Sequence, residues 1–166
     1  MGAQSNLEDQ ASGRRSELRR HGTEVYGPVK VLVGFGAEHS SLDAIIKKAT
    51  ARMHLVESPD PLPEEVVFIR SDQYSFVKQG IPAMFPVPGF KSDDAKINPT
   101  AIFQNWEKTR YHQPQDDIDQ PGLDFESAAK YARFVFLCGY LITEENQRPT
   151  WNKGDFFGEH YGHSAN

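Results

Sequence analysis

Residues Val29–Phe35 read VKVLVGF. Apart from Lys30 the run is apolar, without the in-out alternation of a strand that has one wet face. It predicts a strand buried on both faces. Downstream, in GAEHSSLD, Ser40 or Ser41 can cap a helix, and Leu42, Ile45, Ile46, Ala49 and Met53 recur at helical spacing. That helix should end near His54–Val56, before ESPDPLPEE, where Pro59, Pro61 and Pro63 forbid regular structure. VVFIR, Val66–Arg70, reads as a second strand. SDQYSFVKQG reads as a short helix capped by Ser71 or Asp72 and closed by Gly80. IPAMFPV, Ile81–Val87, reads as a short third strand, because Pro82 and Pro86 remove ladder donors. From Pro88 to Asp119 the chain reads as one long ordered loop carrying Phe90, Phe103, Trp106 and Tyr111. A last helix starts at the cap Asp124 and runs to about Thr143. Its expected apolar face is Phe125, Ala128, Ala129, Ala132, Val135, Phe136 and Gly139. The chain after Pro149 reads as irregular, and residues 1–24, rich in charge, as poorly ordered.

Strand, helix, strand, helix, strand, loop, helix is the order of an α/β layer fold with a partly parallel sheet. The 166 residues suit one domain, which buries roughly 70% of its unfolded surface. The net charge of -5, with Lys and Arg scattered, gives no basis for nucleic-acid binding. The single cysteine, Cys138, excludes an internal disulfide and a cysteine-rich zinc cluster, and FVFLCGYL around it predicts a buried, inert thiol. No apolar run reaches the ~20 residues of a membrane span. The polar N-terminus lacks the apolar core of a signal peptide, so the chain as written reads as cytoplasmic.

No H-E-x-x-H, phosphate loop or G-x-S-x-G is present. His112 follows the third strand, on the side where open α/β sheets bind ligands. Its imidazole is suited to zinc, and the neighbouring Tyr111 phenol to an oxyanion; the plain alternative is a turn histidine beside a buried tyrosine. Ser71 and Asp72 lead from strand to helix, where backbone N–H groups favour anions or carbonyl oxygens; the alternative there is a simple cap. Glu64–Glu65 and Glu144–Glu145 read as solvated pairs, and His160 and His163 as tail residues.

The order of these pieces resembles the C-terminal half of the M28 family of zinc aminopeptidases and carboxypeptidases. FIRSDQYSFVKQGIPAMFPVPG, followed by YHQPQDD, carries the likeness, and GAEHSSLD and WNKGDFFG extend it over roughly Tyr26 to Gly158. The resemblance implies a three-layer α/β/α sandwich, present in part, with a mixed, mostly parallel sheet. It implies a peptidase domain over residues 25–158, between the segment 1–24 and a tail 159–166. It implies hydrolysis of peptides by a water held between two zinc ions, with His112 a metal ligand and Tyr111 the catalytic oxyanion donor. Ser71, Asp72 and Gln73 would face the substrate, and Asp116 would orient the His112 loop. His21, in LRRHG, stands where the family places a carboxylate ligand and is a second metal candidate. The family's H-x-D histidine, bridging aspartate and glutamate pair have no counterpart here. The chain is therefore expected to be truncated at its N-terminus and inactive alone, and to pair with a missing N-terminal half. Family members are often secreted or periplasmic. Two other readings stand beside this one: a non-catalytic remnant that binds a partner, and a small metal or anion module using His112 with His39 or His21.

Overall fold

The computed structural model describes residues 29–89, 91, 95–117, 119–120 and 122–162. The expected segment 1–24, with His21, and His163 lie outside the described residues. The elements run β1 (Val31–Phe35), α1 (Leu42–Arg52), β2 (Val56–Ser58), α2 (Val67–Arg70), α3 (Tyr74–Val77), β3 (Phe85–Pro88), α4 (Pro99–Thr109), α5 (Phe125–Glu144) and α6 (Phe156–Tyr161). The chain divides into two compact units, Met1–Val29 with Phe90–Ala132, and Lys30–Gly89 with Arg133–Asn166.

The fold is α/β, built on a small mixed sheet of order β2-β1-β3. β1 pairs parallel with β2 and antiparallel with β3, so the sheet is evenly mixed rather than mostly parallel. As VKVLVGF predicts, β1 is the central strand, with Val31, Leu32, Val33 and Phe35 all buried. Side chains alternate across a strand. Val33 and Phe35 enter one cluster with Phe68 and Val77, while Gly34, on the opposite face, lies against Ile46 of α1. A Cβ on Gly34 would meet Ile46 Cδ1 at 2.2 Å, so any larger residue here would force the end of the Ile46 side chain to move.

The second strand corrects the sequence reading. Val66–Arg70 is helical from Val67, and the strand beside β1 is Val56–Ser58, whose first amide donates to Lys30 O at 2.9 Å. The β-branched run VVFI favours a strand locally, but the parallel slot is already filled by the segment that leaves α1. Pro63 opens a 3₁₀ turn, and Val66 takes a left-handed conformation, φ 45°, that turns the chain into α2. Helical geometry then buries Phe68 while Val66 and Ile69 stay exposed. The third strand is confirmed in its C-terminal part: Phe85–Pro88 lies at the sheet edge, where Pro86 and Pro88 are tolerated.

The long loop also contains a helix. Asn98 Oδ1 caps α4 by accepting from Ala101 N at 3.1 Å, and Pro99 occupies its first turn. Asn-Pro followed by Ile102, Phe103 and Trp106 is a readable helix start that the aromatic content overshadowed. Asp124 caps α5 as expected: its Oδ1 accepts from the amides of Glu126 (3.0 Å) and Ser127 (3.2 Å). The Ser127 hydroxyl donates to Asp124 Oδ2 at 2.6 Å, and this bond above all holds the Asp124 carboxyl below its ordinary pKa. Ser127 Oγ accepts from Val29 N, and Lys130 Nζ donates to Val29 O at 2.7 Å.

The buried face of α5 differs from the one expected. Ser127, Ala128, Phe134, Cys138 and Leu141 are buried, whereas Phe125, Val135, Phe136 and Tyr140 are exposed. Both stripes recur at helical spacing, so periodicity alone admits either. The segment after Pro149 is not irregular either. Asp155 caps α6, which contains His160, so the start of the expected tail is helical. The acid pairs are exposed, as expected; Glu65 pairs with Arg70 and Glu145 with Lys48. Among the described residues no helix is long and apolar enough to cross a membrane.

Cys138 is 2% exposed, and burial pushes its thiol up to about 11. The thiolate is the reactive form, so the native protein will react with a disulfide reagent at pH 8 at least ~100-fold more slowly than the protein in denaturant. Equal rates in the two conditions would show that the α5 face is open.

Candidate functional site

Two of the sequence-predicted groups lie in different units, and each is described in its own surroundings. Tyr111 and His112 follow α4 directly. The amides of Arg110 and Tyr111 both donate to Trp106 O, at 2.8 and 3.1 Å, which ends the helix in a tight turn. His112 is exposed and left-handed, φ 58°, and its ring stacks on Tyr111 with centroids 3.9 Å apart. Tyr111 leans on Trp106 at 5.2 Å, and Trp106 on Phe103 at 6.0 Å. A polar chain fixes the loop behind them. Trp106 Nε1 donates to Gln120 Oε1 at 3.0 Å, and Gln120 Nε2 donates to Asp116 Oδ1 at 2.9 Å. Gln120 is buried, so both ends of its amide are satisfied where an unmet one would cost about 1–3 kcal/mol. Arg110 Nη1 adds a bond to Gln115 O at 3.1 Å.

Ser71, Asp72 and Gln73 form the link between α2 and α3. The structure corrects the expected cap: no side chain caps α3. The Ser71 hydroxyl instead donates back to Val67 O at 2.8 Å, closing α2. Gln73 Nε2 donates to Phe68 O at 2.7 Å, tying the link to α2. Asp72 is exposed, and its carbonyl accepts from Ser75 N. α3 has only four residues, so the helix-terminus attraction for anions expected here has little dipole behind it.

The same unit holds an assembly that sequence reasoning missed. His39 Nδ1 donates to Asp155 Oδ2 at 2.7 Å, and Glu38 Oε1 lies 3.7 Å from His39 Nε2. The imidazole stacks on Phe68 at 5.4 Å and meets Phe157 edge-on at 4.7 Å. Phe157 also packs edge-on against Phe68 and Tyr74, and the Tyr74 and Tyr161 hydroxyls are 3.1 Å apart. That bond leads the causes that raise the Tyr74 pKa. The available signal was Asp155 ahead of FFGEHY, an N-cap before a helical aromatic pattern.

A catalytic zinc site takes three protein ligands. Among the described residues no three His, Cys, Asp or Glu side chains converge to hold a metal ion. The described residues by themselves therefore do not fit a complete zinc centre. His39, weighed above as a metal partner of His112, belongs to the other unit and is bonded through Nδ1 to Asp155.

A family model described as Peptidase family M28 matches residues 21–137. No curated protein and no solved structure matches the chain. The matched span includes β1, the Ser71–Gln73 link and the His112 loop, and it is more than half of the 166 residues; the protein belongs to peptidase family M28, a family of peptide hydrolases.

Proposed function

We propose that residues 25–158 form part of a zinc-dependent, aminopeptidase-like peptidase, with His112 as one metal ligand of a two-zinc centre. The remaining donors, and the general base, come from polypeptide outside the described residues. Tyr111 is the donor of a hydrogen bond to the oxyanion in this reading, and Asp116 orients the loop. Ser71, Asp72 and Gln73 meet the peptide.

The observation that carries this reading is the match of residues 21–137 to the family model, a span that holds both the Ser71–Gln73 link and the His112 loop. Here the Trp106–Gln120–Asp116 chain braces the loop on which the exposed imidazole stands. A second reading is a non-catalytic domain that associates with a complementary partner; it is motivated by the described residues, among which no three potential ligands converge.

Zinc titration of the purified 166-residue chain by calorimetry tests the assignment. Binding should be weak, and His112→Ala should weaken it by about tenfold or more. Two tightly held zinc ions, insensitive to His112→Ala, would remove His112 from the ligand set. Chelator-sensitive cleavage of an aminoacyl chromogenic substrate by the chain alone would overturn the claim that other donors are needed.

A further inference from the structure

We propose that Asp155 is a positioning residue, which holds the Ser71–Gln73 link in shape through the strap Thr150–Tyr161. The proposal rests on the reading that this link meets the peptide. The strap is hydrogen-bonded along the turn that follows β1. Ser41 N donates to Thr150 O at 2.9 Å, and Thr150 N to Ser41 Oγ at 3.0 Å. Asn152 N donates to His39 O, and Asn152 Nδ2 to Glu38 O. Trp151 Nε1 donates to Gly80 O at 2.9 Å, at the far end of the α3 turn.

Asp155 joins this strap to the link with both carboxylate oxygens. Oδ1 accepts from the Phe157 amide at 2.9 Å and the Gly158 amide at 3.4 Å, starting α6. Oδ2 accepts from His39. The Asp155 side chain is 13% exposed, so little water competes for these bonds. A six-residue helix is not stable alone and depends on such a cap. The cap sets where Phe157 and Tyr161 stand. Phe157 touches Phe68, three residues before Ser71, and Tyr74, directly after Gln73. Tyr161 bonds Tyr74 again. The strap thus grips the link on both flanks and leaves Asp72 exposed. Binding groups must be held within a fraction of an ångström to work, and a short link without its own cap needs an external support.

Amide hydrogen exchange in the full chain tests this. The Tyr74 and Ser75 amides, bonded to Ser71 O and Asp72 O, report on the link, and the β1 amides on the whole sheet. Asp155→Ala should speed exchange at Tyr74 and Ser75 by about tenfold relative to β1, and Asp155→Asn, which can still cap α6, should restore most of the protection. Should Asp155→Ala fail to fold, Tyr161→Phe removes only the second grip and should speed exchange at Tyr74 alone, by a few-fold. Uniform acceleration across β1 and the link, or no change at Tyr74 and Ser75, would overturn the proposal. The reading beneath it has its own test: a short peptide added to the unaltered chain should shift the Ser71–Gln73 amide resonances. No shift there would reject that reading while leaving the exchange result to judge the strap.

Discussion

Replacing Phe134 by alanine is expected to lower the unfolding free energy by about 3–5 kcal/mol, whereas Phe136→Ala, two residues along the same helix, should cost under ~1 kcal/mol. Phe134 is 0% exposed and Phe136 is 75% exposed. Truncating the buried ring loses its transfer free energy and leaves a cavity that the neighbours fill only in part. Truncating the exposed ring loses little burial, and alanine is the better helix former, which offsets part of that loss. Against a total stability of roughly 5–15 kcal/mol, the first change threatens the native state and the second does not. Denaturant unfolding of both variants reads the difference. Equal losses would mean that α5 presents the other stripe to the core.

Gly36→Ala is expected to be comparably severe, at about 2–5 kcal/mol, the sum of a left-handed backbone term and overpacking. Gly36 has φ 82°, and a Cβ there would sit 2.0 Å from Phe68 Cε2. The ring has little room to retreat, since His39, Phe157 and Tyr74 surround it. A displaced Phe68 also moves the carbonyl that holds Gln73, so the substitution should disturb the link as well as the core. Gly154→Ala is the control. It has φ 79°, but its added Cβ meets nothing within 4 Å, so it should cost only the backbone term of about 1–2 kcal/mol. Thermal unfolding of the two variants separates the contributions; equal shifts would mean that the Phe68 ring yields freely.

The sequence by itself determined what depends on near neighbours along the chain. The apolar run of β1, the spacing of Leu42, Ile45, Ile46 and Ala49, and the Asp124 cap each act within a few residues, and each appears in the structure. Residue chemistry was legible in the same way, since the order of the Ser71–Gln73 link and the His112 loop pointed to the family that the chain belongs to. Only the tertiary structure decided between local options of similar free energy. Val66–Arg70 has strand propensity, but β2 fills the slot beside β1. α5 carries two apolar stripes, and which one is buried is set by its neighbours rather than by its period. The meeting of His39 with Asp155, which stand 116 positions apart, likewise arises from a contact that no local pattern encodes.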